Sequence, residues 1–219
     1  MRKDSCRGIV KVDAEAPPYH HRSRTGGSSA LSSAKKPRAD AERNRLRLLA
    51  AARKAFGEGD EPVTLEHVAR EAGVGIGTLY RHFPTREALV EALYRDELAQ
   101  VVASAPKLLE TEKPLRALRR WMARFAEYAS TKHDMADTLR AIIEAGTVDM
   151  TQVRAELTEA VQLILDAGAA DGTLRADVRA QDVVVTVVGA CSMPTLPDGP
   201  EQLDRMLDLI HAGVCQPPS

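Results

Sequence analysis

The stretch TLEHVAREAGVGIGTLYRHF, residues 64–83, decides how this chain folds. It reads as two short helices joined by a tight turn. Thr64 stands where an N-cap belongs, its hydroxyl ready to accept from a first-turn N–H, and Glu66 follows as an anion favoured by the helix dipole. Leu65, Val68, Ala69 and Ala72 recur at helical spacing and make one apolar stripe. Gly73 is placed for the left-handed conformation in which many helices end. In the second helix Leu79 and Phe83 lie four residues apart and point into one core, and Pro84 closes the helix. Two short helices with a glycine-containing turn form a helix-turn-helix. The first braces against the DNA backbone, and the second offers its N-terminal half to the major groove.

With Leu79 and Phe83 facing inward, Ile76, Gly77, Thr78, Tyr80, Arg81 and His82 remain for the outside. Thr78 can hydrogen-bond a base edge and offer its methyl to thymine, and Arg81 can reach guanine or phosphate. Tyr80 and His82 have the length and polarity for phosphate oxygens, while Gly77 lets the backbone approach closely. Thr64 and Gly75, at the starts of the two helices, complete this DNA-facing set. Arg86, in the first turn of the next helix, is read as a phosphate clamp beside free N–H groups.

Outward from the motif, everything with a clear period is helical. Asp40 is the expected N-cap of a helix in which Leu48, Leu49, Ala52, Ala55 and Phe56 share a face and Gly57 and Gly59 mark the end. Thr85 caps a helix carrying Leu89, Leu93, Tyr94 and Leu98, expected to stop before Pro106. Further helices are expected from Pro114 to about 130, over about 135–147, over about 150–169, from about 180 to 192, and over about 200–213. The apolar run Val183, Val184, Val185, Val187, Val188 would suit a buried strand by period alone. A lone strand has no partner, so a helix is assigned. The expected fold is all-α.

Composition narrows the function. Of 219 residues 44% are hydrophobic and 28% charged, the balance of an ordinary globular protein with a real core. No apolar run approaches the roughly 20 residues of a membrane span, and the N-terminus has no apolar h-region, so a cytoplasmic location is expected. Cys6, Cys191 and Cys215 fit neither a disulfide framework nor a zinc site. His20-His21 is read as incidental, and His67 as a solvated side chain. Charge is uneven. Residues 1–38 hold nine Lys/Arg against three Asp/Glu, residues 39–86 eight against seven, and residues 87–219 thirteen against twenty-one. A basic front and an acidic back suit a protein that meets a polyanion at one end. The first 38 residues, with Pro17-Pro18, Gly26-Gly27 and many serines, are expected to be a disordered basic tail. The segment 39–86 is then the DNA-binding domain, and 87–219 a helical regulatory and dimerisation domain.

The stretch AGVGIGTLYRHFPTREALVEAL, preceded by LLAAARKAF and TLEHVAREAG, closely resembles the DNA-binding domain of the tetracycline-repressor (TetR) family, over roughly residues 42–101. The resemblance implies an all-α regulator whose first three helices bind DNA and whose remaining helices bind an effector and dimerise. By position it gives Tyr80, His82 and Arg86 phosphate roles and sets Ile76, Gly77, Thr78 and Arg81 at the groove. The sequence departs from the family pattern at Gly75, where serine is common. Layout further implies a homodimer through the helices at about 180–192 and 200–213. Its reading heads would sit about 34–36 Å apart on a palindromic operator of double-stranded DNA.

For an effector, Trp121, Met122, Phe125 and Tyr128 form an aromatic-rich stripe that Met135, Leu139, Ile143, Met150 and Val153 can face. An apolar pocket for a hydrophobic or amphipathic small molecule is expected from Trp121, Phe125, Tyr128, Leu139, Ile143 and Val153, with Glu144 and His133 orienting a polar group. No nucleophile elbow, phosphate-cradling loop, metal-ligand spacing or acid pair is present, so neither enzyme activity nor a cofactor or metal is expected. The reading is a sequence-specific regulator, released from its operator by an effector. The alternative is a helical protein-interaction module without effector response.

Overall fold

The computed structural model describes residues 35–58, 63–130, 135–193 and 197–216. Among them are nine α-helices and no strand: α1 (Lys35–Glu58), α2 (Leu65–Glu71), α3 (Ile76–His82), α4 (Arg86–Thr111), α5 (Pro114–Ser130), α6 (Ala136–Glu144), α7 (Met150–Ala170), α8 (Ala180–Cys191) and α9 (Gly199–Val214). Residues 1–34, with Cys6 and His20-His21, lie outside the described residues, as do Gly59 and His133.

Local chemistry places the first helices as their sequence predicts. The Thr64 hydroxyl accepts from the His67 N–H at 3.1 Å, and that of Thr85 from the Ala88 N–H at 3.2 Å. Gly73 takes φ +61°, a conformation that costs a glycine nothing and a side-chain-bearing residue a steric penalty. Leu48, Leu49, Ala52, Ala55 and Phe56 of α1 are all buried. Val68, Ala69, Leu79 and Phe83 join them in the same core, which continues through Leu89, Val90 and Leu93 of α4.

Three boundaries differ from the sequence expectation. Helix α1 begins at Lys35 rather than after Asp40, because Pro37 in its first turn interrupts no hydrogen bond that the helix needs. The Asp40 carboxylate instead accepts from Arg43 one turn on. Helix α4 does not stop before Pro106 but runs through it to Thr111. Proline removes one ladder donor, yet Val101, Ser104, Ala105 and Leu108 around it are buried, and that packing holds the helix together. Helix α6 is shorter than expected, ending at Glu144 before Gly146 at φ +72°.

Helix α4 packs along α5, α6 and α7, and α7 packs on α5 and α8. Helix α9 lies against α8 and α5, and is pinned by Arg119, which donates to Asp208 at 2.6 Å and to Asp204. Both aspartates are exposed, so this fork contributes little beyond fixing orientation. The valine-rich run is helix α8, with Val183, Val184 and Val187 buried.

One close approach fixes the α7–α8 connection. Leu174, 2% exposed, drops onto Gly168 inside α7, and a Cβ there would lie 2.8 Å from Leu174 Cβ. Gly168 O accepts from the N–H groups of both Thr173 and Leu174, so the turn cannot retreat easily. Gly168→Ala is therefore expected to cost about 1–3 kcal/mol as overpacking, measured as a lowered urea midpoint with unchanged helical content.

Candidate nucleic-acid interface

The recognition helix α3 presents the division that its sequence implies. Leu79 is fully buried, and Phe83, at the C-cap, is 3% exposed. Ile76, Gly77, Tyr80 and Arg81 are exposed, with Thr78 and His82 half-buried at the edge. Gly75 is the N-cap with no side-chain hydrogen bond, while its carbonyl accepts from Thr78 at 2.8 Å and Leu79 at 3.1 Å. The helix start is thus held by backbone alone. The turn is tightened by Val74 N–H donating to Ala69 O at 2.9 Å, which sets α2 and α3 at a fixed angle. Thr64, Glu66 and His67 lie on the exposed side of α2.

Cations stitch this layer to its neighbours. Lys54 of α1 pairs with Glu71 of α2 at 2.6 Å, and this pairing holds the Glu71 carboxyl below its ordinary range. The Arg45 guanidinium stands 5.8 Å from the centre of the Phe83 ring. Arg86, expected to face phosphate, is directed inward. It donates to the Val63 carbonyl and stacks 5.1 Å from the centre of the Phe56 ring. Sequence position alone put Arg86 in the first turn of α4. The inward route of its side chain depends on the residue 63 carbonyl and the Phe56 ring, which only the fold brings there.

The aromatic stripe of α5 is core. Trp121 is fully buried, Phe125 and Tyr128 nearly so, with Trp121 and Phe125 stacked at 5.9 Å and Tyr128 edge-on to Phe125 at 5.6 Å. Burial pushes the Tyr128 phenol well above its ordinary range. Leu139 and Val153 are buried and Ile143 is half-buried. Two of the six line cavities described by the structure. Tyr128 opens on a space of about 600 Å³ between α1, α4 and α5, whose wall carries Arg53, Glu97, Gln100, Arg120, Arg124 and Glu127. Val153 opens on a smaller one of about 210 Å³, beside Tyr94 and the 146–149 turn. The larger wall thus mixes charged side chains with Val101, Leu108, Ala123 and Tyr128. Its charges are spread over three helices with no motif to announce them. Among the described residues, no cluster of three or more His, Cys, Asp or Glu is placed to hold a metal.

A third space, about 430 Å³, lies between α5, α8 and α9 and is lined by Ala126, Cys191, Met193, Leu203 and Leu207 among others. Around it the C-terminal helices leave apolar side chains in the open: Val185 is 52% exposed, Met193 50% and Leu209 74%. No described helix is long and apolar enough to cross a membrane.

Comparison with known proteins agrees with this geometry. Residues 48–93 match the family described as bacterial regulatory proteins, tetR family, and residues 113–216 match the SbtR-like transcriptional regulator C-terminal domain. Among solved structures, a TetR transcriptional regulator from Streptomyces coelicolor is 43% identical. The match covers 80% of this chain and 99% of that one, with a TM-score of 0.71. A TetR regulatory protein from Mycobacterium vanbaalenii is 31% identical, with 81% and 98% covered and a TM-score of 0.63. An HTH-type transcriptional regulator of Staphylococcus aureus is 45% identical over 53 residues, 24% of this chain. This match spans only 29% of the staphylococcal protein's length. Near-complete coverage of two solved regulators above 30% identity, with matches to both halves, means that the chain belongs to the TetR family of transcriptional regulators.

Proposed function

We propose that this protein is a sequence-specific DNA-binding repressor, acting in the cytoplasm as a homodimer on a palindromic operator and released from it by a small-molecule effector. The observation that carries the reading is the polarity of α3: one helical face is sealed into the core by Leu79 and Phe83, and the opposite face is left to Ile76, Gly77, Thr78, Tyr80 and Arg81. On this seven-residue helix the exposed Ile76 side chain gains nothing from solvent. In a major groove the same residues find methyl groups, base edges and phosphates.

In this reading Thr78 and Arg81 face the bases, and Tyr80 and His82 take phosphates. Thr64 and Gly75 bring the two helix starts close to the backbone. Arg86 acts indirectly: by tying the α4 start to Val63 and Phe56 it sets the position from which α2 approaches DNA. Dimerisation is assigned to α8 and α9. Val185, Val188 and Leu209 stand exposed there, and an exposed apolar patch of this kind is best accounted for by a second copy. Effector binding would favour a dimer whose reading heads no longer match the operator spacing.

The deciding experiment is a mobility shift on DNA upstream of the gene across a salt series. Binding that weakens linearly in the logarithm of salt is expected, and no shift even at low salt refutes the reading. Arg81→Ala is expected to lose about 1–3 kcal/mol of discrimination at one base pair, read by competition among single-base operator variants. Tyr80→Phe should weaken all sites alike. Arg86→Ala is expected to lower the stability of the folded chain by about 1–2 kcal/mol, through a lost charged hydrogen bond and ring contact. It should leave the salt slope of DNA binding unchanged, since no phosphate contact is lost. Val185→Glu with Leu209→Glu is expected to yield a folded monomer by light scattering.

A further inference from the structure

The cavity of about 600 Å³ between α1, α4 and α5 falls within the size range of small-molecule sites. Its charges are not evenly spread. Helices α4 and α5 run antiparallel across a short turn, so Leu108 and Arg120 lie toward one end and Glu97 and Tyr128 toward the other. At the first end Arg120 and Arg124 sit one turn apart on the cavity-facing side of α5, a like-charge spacing that repels. Arg120 is partly answered by Glu112, whose second carboxylate oxygen is buried without a hydrogen bond. Arg124 forms no ion pair among the described residues. Between the two ends Val101, nearly fully buried, and Ala123 form an apolar strip with Gln100 beside it, and Glu127 lies toward the Glu97 end.

At the far end stands the link to the DNA-binding helices. Arg53 of α1 reaches across to α4, with its Nε 3.0 Å from Glu97 and a terminal nitrogen 3.0 Å from Asp96. Glu97 is only 6% exposed, and the Arg53 guanidinium is one of the groups that face its carboxylate. Any molecule filling the cavity touches this bridge.

We propose that the cavity binds an amphipathic organic anion, with its carboxylate between Arg120 and Arg124 and its apolar body along Val101, and that Arg53 carries occupancy to α1. This rests on the effector reading above and names the ligand class and the coupling residue. A headgroup with negative charge relieves the Arg120–Arg124 repulsion, which a cation worsens and a neutral group leaves as it is. A body that fits better when α4 and α5 stand apart shifts the position of α4, and the Arg53 fork moves α1 with it.

The test uses the full chain with three probes sharing one tail and differing in head: decanoate, decylammonium and decanol, each below its micellar concentration. Decanoate is expected to raise the melting temperature and bind by calorimetry, at least tenfold tighter than the other two. It should lose that advantage in Arg120→Gln/Arg124→Gln. It should also weaken operator binding. In Arg53→Gln/Glu97→Gln, which removes the buried Glu97 charge together with the guanidinium and leaves half-buried Asp96 with Gln100 as its donor, operator binding without ligand should persist while decanoate no longer weakens it. Equal or tighter binding of decylammonium or decanol, or no binding of any probe, overturns the ligand class. Undiminished release in the Arg53/Glu97 double variant overturns the coupling. Operator binding released by some other compound would leave the repressor reading standing, whereas absence of operator binding by the unliganded protein defeats that reading first.

Discussion

One face of helix α4 is buried from Leu89 to Leu108, and the rest of the molecule is arranged around that requirement. Leu89, Val90 and Leu93 close the core under the helix-turn-helix, while Leu98, Val101, Ala105 and Leu108 belong to the core of the C-terminal helices. A single rigid rod therefore serves two packing layers. It stays helical through Pro106 because the contacts on either side outweigh one missing hydrogen bond.

The DNA-facing end is small, and its orientation is fixed by few groups. Leu79 and Phe83 seat α3, Thr64 and Thr85 begin the helices on either side, and the Gly75 carbonyl closes the first turn of α3 without help from a side chain. Arginine chemistry is divided between tasks here. Arg45, Arg53 and Arg86 face protein partners, each on a ring or a carboxylate or a carbonyl, whereas Arg81 remains in the open. Residue type alone does not separate these roles, since a guanidinium suits carboxylates, carbonyls, aromatic faces and phosphates alike.

Behind α4 the aromatic residues and the charged ones have exchanged the places that composition suggests. The Trp121, Phe125 and Tyr128 cluster fills space between helices, as large rings do when a core is otherwise built from alanine and leucine. The cavity beside it is walled in part by long charged side chains, of which Arg53 meets Glu97 and Arg120 meets Glu112 across helices while Arg124 stands without an ion pair among the described residues.

The sequence by itself determined the helix-turn-helix, its caps, its two anchors and its outward face, because those depend on spacing within some twenty residues and on local backbone chemistry. The all-α class and the helical state of the valine-rich run were legible for the same reason: period, caps and neighbours agreed. The tertiary structure alone decided that α4 passes Pro106, that Arg86 turns inward to Val63 and Phe56, that Gly168 must admit Leu174, and that Arg53 meets Asp96 and Glu97. Each of these joins residues separated along the chain or sets packing against a local rule. Propensity and periodicity carry no information about which distant atom a side chain will find, and in this protein those distant partners separate an arginine left exposed on α3 from one that holds the fold together.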